Sequence, residues 1–83
     1  MQIIARLPNQ LGAAIRRHRR QQKLTQSALG QKMGARQATV SRLENGEPAI
    51  QLRTLLDALA ALDLEIVVRP RTKMSAKDLE ALF

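Results

Sequence analysis

Leu24-Thr-Gln-Ser-Ala-Leu-Gly-Gln-Lys-Met-Gly34, followed directly by Ala35-Arg-Gln-Ala-Thr-Val-Ser-Arg-Leu-Glu-Asn-Gly46, decides how this chain folds. Thr25 is a capping residue type standing ahead of Gln26–Met33, and Leu29 and Met33 within that stretch share one helical face. Gly34 follows, where a helix commonly ends in a left-handed residue. Residues 36–44 form a second short helical stretch. Val40 and Leu43 face one way, and Gln37, Ala38, Ser41 and Arg42 face the other. Asn45-Gly46 closes it, and Pro48 prevents continuation. Two short helices therefore meet at a tight glycine turn, and the second keeps a polar face.

Outward from this unit the pattern stays helical. Pro8-Asn9 reads as a helix start with Asn9 as N-cap, and over residues 10–22 Leu11, Ala14, Ile15 and His18 fall on one face. Arg16, Arg17, Arg19 and Arg20 mostly lie off that stripe, although one of them can fold inward to a partner. On the other side, residues 51–62 carry Leu52, Leu55, Leu56, Leu59 and Leu62, a stripe wide enough to cover more than one neighbour. The period then changes: Leu64-Glu-Ile-Val-Val-Arg69 is rich in β-branched residues and closed by Pro70, the pattern of a strand. A solitary strand leaves its backbone groups unpaired, so it must pair with residues 2–5 or with the same strand of a second copy. Residues 71–75 read as polar linker. Ser75-Ala-Lys-Asp78 resembles a capping box that opens a short helix to Phe83.

Composition narrows the function. The chain has 83 residues, no cysteine, one histidine and one phenylalanine as its only aromatic residue. That excludes disulfide staples and thiolate metal sites, and it leaves no stacking platform for single strands. No metal and no cofactor are expected. A catalytic nucleophile–base pair and clustered carboxylates are also missing, so the chain is not read as an enzyme. Apolar runs fall short of a membrane span and no signal peptide opens the sequence, so the expected compartment is the cytoplasm. So short a chain buries a modest core, which favours an oligomer. The charge is lopsided. Residues 1–43 hold nine Lys/Arg and no acid, whereas residues 44–83 hold five Lys/Arg and all seven acids. Such asymmetry is the footprint of a polyanion partner, and nucleic acid fits better than a membrane because the basic half lacks a large apolar face.

Helix, glycine turn and second helix with a polar outer face is the helix-turn-helix arrangement, whose second helix enters the DNA major groove. Leu24-Thr-Gln-Ser-Ala-Leu29, Gly34 and Thr39-Val-Ser-Arg-Leu-Glu-Asn-Gly46 strongly resemble the Cro/cI-like (XRE) family over roughly residues 9–62. Gly30 departs from the alanine usual there. The resemblance implies roles position by position. Arg36, Gln37, Ala38, Ser41 and Arg42 match base-contacting positions: Gln37 suits adenine, Ala38 a thymine methyl, and Arg42 either guanine or a phosphate. Thr25, Gln26, Lys32, Thr39 and Asn45 match phosphate-contacting positions, with Gln26 also buttressing the reading helix; Thr39 is the ambiguous one, since its methyl can pack inward. The alternative for each is a solvated surface side chain. Arg19 and Glu44 match a partly buried ion pair that orients the reading helix. His18 reads as a core-edge histidine rather than a pH switch, and Arg16, Arg17 and Arg20 as a solvated face with at most one phosphate contact.

Leu7-Pro-Asn-Gln-Leu-Gly12, Gln37-Ala-Thr-Val-Ser41 and Leu62-Asp-Leu-Glu-Ile-Val-Val68 further resemble HipB-type antitoxins, a group whose final strand pairs across a two-fold axis. The resemblance implies a mainly α fold: a four- to five-helix Cro/cI-like helix-turn-helix domain with a C-terminal β-strand pairing across a homodimer through Leu64, Ile66 and Val68. It also implies a DNA-binding antitoxin and autorepressor whose partners are double-stranded operator DNA and a HipA-type serine/threonine kinase toxin, in one chain or split into two. A stand-alone phage or chromosomal repressor of the same family is the alternative. The expected organisation is a lead-in over 1–8, the DNA-binding domain over 9–63, a dimerisation strand over 64–70 and a tail over 71–83. Residues 75–83 read as a toxin-docking helix, a degradation signal or a frayed end.

Overall fold

The computed structural model describes residues 2–72, and the capping box and short helix expected within 75–83 lie outside them. Among the described residues there are four helices: α1 (Pro8–Gln21), α2 (Gln26–Met33), α3 (Gln37–Glu44) and α4 (Leu52–Ala61). The first starts earlier than its sequence suggested. Leu7, not Asn9, is the N-cap, because Pro8 brings a helix-ready φ to the first position and needs no N–H partner there. Gln10 then folds back, its Oε1 accepting from the Leu7 N–H at 3.1 Å and the Arg6 N–H at 2.7 Å. Asn9 sits exposed in the first turn.

The α2–α3 unit forms as its sequence dictates. Thr25 Oγ1 accepts from the Ala28 N–H at 3.0 Å, and Gly34 closes α2 in the left-handed region with φ 69°. The tight turn explains Gly30. A Cβ there would stand 2.7 Å from the Ala35 carbonyl oxygen, while the Ala35 N–H donates to the Gly30 carbonyl at 2.8 Å. Glycine lets the turn close directly on the helix, which outweighs its helix-propensity cost of about 1 kcal/mol relative to alanine. Helix α3 begins at Gln37, one residue later than expected, with Arg36 as its N-cap.

The core is one cluster: Ile15 from α1, Leu29 from α2, Val40 and Leu43 from α3, and Ala58, Leu59 and Leu62 at α4. Fully burying each of the larger aliphatic side chains is worth about 1.5–3 kcal/mol. Helix α2 packs on both α3 and α4, and α1 packs on α3. The approach of α1 to α3 depends on Gly12, where a Cβ would lie 2.6 Å from the carbonyl oxygens of both Leu43 and Glu44. At the far end of α1, Gln22 Nε2 donates to the Leu62 carbonyl at 2.8 Å and so caps α4.

One expectation needs correction. The leucine stripe of α4 is not uniformly buried: Leu59 and Leu62 are, but Leu52 is 67% and Leu56 46% exposed, and Ala58 takes the core position instead. One face of α4 is enough to cover so small a core. Residues 64–69 form no strand among the described residues, so of the two expected pairings the one with residues 2–5 is not made and the one with a second copy is left. Neighbouring residues 2–6 touch this segment through side chains, Arg6 Nη2 donating to the Thr72 carbonyl at 3.0 Å and Arg69 Nη1 to Gln2 Oε1 at 3.5 Å. A strand exists only when another backbone completes it, and among the described residues none does.

Candidate nucleic-acid interface

Helix α3 presents its outer face as the sequence foretold. Gln37, Ala38 and Arg42 are exposed and Ser41 is half-buried, while Val40 and Leu43 on the opposite side are buried. Arg36 stands exposed at the N-cap, and Asn45 is exposed just beyond the last turn. Thr39 is half-buried.

Beneath this face lies a polar chain that joins three helices. The Arg19 guanidinium grips the Glu44 carboxylate with two bonds, Nε to Oε2 at 2.6 Å and Nη2 to Oε1 at 3.0 Å. Its remaining nitrogen, Nη1, donates to the Leu24 carbonyl at 2.8 Å. The Glu44 side chain is 1% exposed and that of Arg19 9%. The forked geometry matches guanidinium to carboxylate, as only arginine can. Gln26 Nε2 also donates to Glu44 Oε1, at 3.2 Å, and Gln37 Nε2 donates to Gln26 Oε1 at 3.4 Å. The sequence runs Arg19, Glu44, Gln26, Gln37: from inside α1, through the end of α3 and the start of α2, to the first residue of the exposed face. No buried side-chain nitrogen or oxygen among the described residues lacks a partner. A fully satisfied network of this kind holds its members in one arrangement.

The expected phosphate-contacting residues fall into two places. Thr25 and Gln26 stand at the N-terminus of α2, beside Gln37, where the helix dipole and free amides favour an anion. Lys32 is exposed in the last turn of α2, six residues on and so about 9 Å along the axis. Arg19 and Glu44 are brought together as the sequence anticipated; the bond between Gln26 and Gln37 was not. Both glutamines occupy the first position of their helices, and the bond gives the buttressing role expected of Gln26 its partner on the reading helix. Of the expected dimerisation residues, Leu64 is half-buried, Ile66 is 49% and Val68 93% exposed.

A helix-turn-helix family model matches residues 15–68 of this chain. An "Antitoxin HipB" of Escherichia coli (strain K12) is 38% identical over 61 residues, spanning 74% of this chain and 69% of its own length. The chain belongs to the helix-turn-helix family, in its HipB-type group. An "Uncharacterized HTH-type transcriptional regulator" of Sinorhizobium fredii is 39% identical over 62 residues. This HipB-type domain spans 32% of that regulator's length and 65% of the HipB from a second Escherichia coli strain. Among solved structures, a "HipB-O4 20mer complex" superposes with a TM-score of 0.79 at 33% identity, covering 87% of this chain and 100% of that one. A "HipA-HipB-O2-O3 complex" gives 0.77 at 35% identity with the same coverage.

Proposed function

We propose that this HipB-type domain is a sequence-specific DNA-binding antitoxin that represses its own operon and neutralises a HipA-type kinase toxin by complex formation. It is a binding protein, not an enzyme. The observation that carries the DNA-reading part is the continuous chain from the buried Arg19–Glu44 pair through Gln26 to Gln37. Reading a base edge requires a side chain delivered in a fixed pose, and phosphate contacts fix the register in which it is delivered. Gln26 links the two tasks: it stands at the anion-favouring end of α2 and touches the residue that would meet adenine. Arg36, Ala38, Ser41 and Arg42 extend the base-reading face, and Thr25, Lys32, Thr39 and Asn45 hold the backbone on either side.

The dimer is the second part of the reading. The β-branched run of residues 64–69 and the exposed Ile66, Val67 and Val68 suit antiparallel pairing with the same segment of a second copy. A self-paired strand generates a closed two-fold dimer, and a two-fold dimer fits a palindromic operator. Such pairing makes residues 64–70 the dimerisation strand. The partner toxin follows from the likeness to HipB, in one chain or split into two. Binding of the chain to a duplex from its own upstream region, compared with a random-sequence duplex, tests the proposal. A clear preference for the upstream duplex is expected, and equal affinity for the two refutes it.

A further inference from the structure

Helix α1 carries more exposed cationic side chains than any other element described, and no hydrogen bond or ion pair among the described residues accounts for them. Arg16, Arg17, Arg20 and, in the turn after the helix, Lys23 are all exposed, and none is paired with an acid among the described residues. The sole acid on α1, α2 or α3 is Glu44, which is buried and taken up by Arg19. These cations are not spread evenly around α1. Gly12 and Arg19 mark the side that touches the end of α3, the first by backbone approach and the second by the ion pair. At about 100° per residue, Arg16 projects some 60° from Arg19 and Arg20 some 100°, both displaced to the same side. Lys23 follows four residues after Arg19. Arg17, two residues before Arg19, lies roughly a further 60° round from Arg20 and about 160° from Arg19, farthest of the three arginines from the seam.

The geometry points to Arg16, Arg20 and Lys23 as a second backbone-gripping surface, a cationic edge that holds the phosphates of duplex DNA flanking the bases under α3. The inference rests on the DNA-reading function proposed above and extends the contact to a helix outside the helix-turn-helix unit. Three observations carry it. The edge borders the seam where α1 meets the C-terminal end of α3, at Gly12 and Arg19. Its position relative to the reading helix is fixed, since Arg19 bonds Glu44, Gln22 bonds the Leu62 carbonyl and Lys23 takes a left-handed backbone with φ 59°. Its charge pairs with no acid among the described residues, and the first 43 residues contain none. Arginine and lysine placed so add affinity without adding sequence preference.

The test is a salt series on the full chain with two duplexes of equal length, one from its own upstream region and one of random sequence. Arg16→Gln/Arg20→Gln/Lys23→Asn removes the charges of the edge while keeping polar, unbranched side chains at 16 and 20 and a left-handed-tolerant residue at 23. The expected result is a salt slope shallower by about 0.9 for each phosphate that a subunit no longer neutralises, with affinity falling equally on both duplexes. Arg17→Gln leaves the slope unchanged, and circular dichroism of both variants matches that of the parent. An unchanged slope in the triple variant, or an equal loss from Arg17→Gln alone, overturns the cationic edge while leaving the reading helix intact. A parent chain that binds neither duplex overturns both inferences.

Discussion

Removing the Glu44 carboxylate is the sharpest perturbation this structure offers. Glu44→Ala strands an arginine whose side chain is 9% exposed, leaving it one carbonyl partner, from Nη1 to Leu24. Breaking a buried pair by deleting one partner costs about 3–5 kcal/mol, since the survivor keeps its desolvation penalty and forfeits its compensation. A chain of 83 residues at roughly 0.05–0.15 kcal/mol per residue has a total stability of about 4–12 kcal/mol. The loss therefore takes a large share of the total, and at the low end of that range the domain unfolds. With m-values of about 1–3 kcal/mol/M in urea, the midpoint drops by at least about 1 M. The chain has neither tryptophan nor tyrosine, so the assay is urea denaturation followed by far-ultraviolet circular dichroism. The informative control is Arg19→Met/Glu44→Leu, which removes both charges and keeps the volume. Such replacements are neutral or stabilising by about 1–4 kcal/mol. Stability should return in the double variant, yet operator preference should not, because Gln26 then lacks the oxygen that anchors it and Gln37 is anchored only through Gln26. A single variant destabilised by less than about 1 kcal/mol, the range of an exposed pair, refutes the energetic argument. A stable double variant with full operator preference refutes the positioning argument.

Other consequences are simpler to state. Gln37→Ala should cost about 1–3 kcal/mol at the operator and relax preference at one base pair, measured by fluorescence anisotropy on a set of single-substitution duplexes; uniform weakening across the set would contradict a base contact. Ile66→Asp should shift sedimentation from dimer toward monomer, because it places a charge on the segment proposed to pair, and unchanged sedimentation would place the dimer contact elsewhere. Gly12→Ala should destabilise the fold by about 1–3 kcal/mol through forced separation of α1 from α3, since the obstructing atoms are backbone carbonyls that cannot rotate away. A melting temperature equal to that of the parent would show that the two helices can shift at no cost.

Much of the fold was legible because its punctuation is local. Thr25, Gly34 and Asn45-Gly46 end or begin helices through their own side chains or backbone freedom, and those boundaries agree with the structure within a residue. The start of α1 was misplaced because Asn9 is a capping type in sequence, while Pro8 and Gln10 together shift the cap to Leu7. Periodicity marked five leucines around residues 52–62 as one stripe, but it cannot say how much core there is to cover; the small core claims Leu59, Leu62 and Ala58, and leaves Leu52 and Leu56 outside. The 64–69 segment is a different case. Its strand character depends on a second backbone, which the described residues of one chain do not supply. At the interface, the exposed face of α3 and the Arg19–Glu44 pair were readable from spacing and family likeness. The bond between Gln26 and Gln37 was not, because it arises from where two helix N-termini meet in space.

The central claim, an operator-reading antitoxin, is tested most directly by co-expressing the chain with the neighbouring gene product, purifying the complex and measuring its binding to the shared upstream duplex. A kinase-like polypeptide should co-purify with the chain and the complex should retain the operator, with Gln37→Ala weakening preference for the duplex but leaving the protein complex intact. A chain that purifies alone from such cells contradicts the antitoxin reading. A chain without preference for the upstream duplex contradicts the account as a whole.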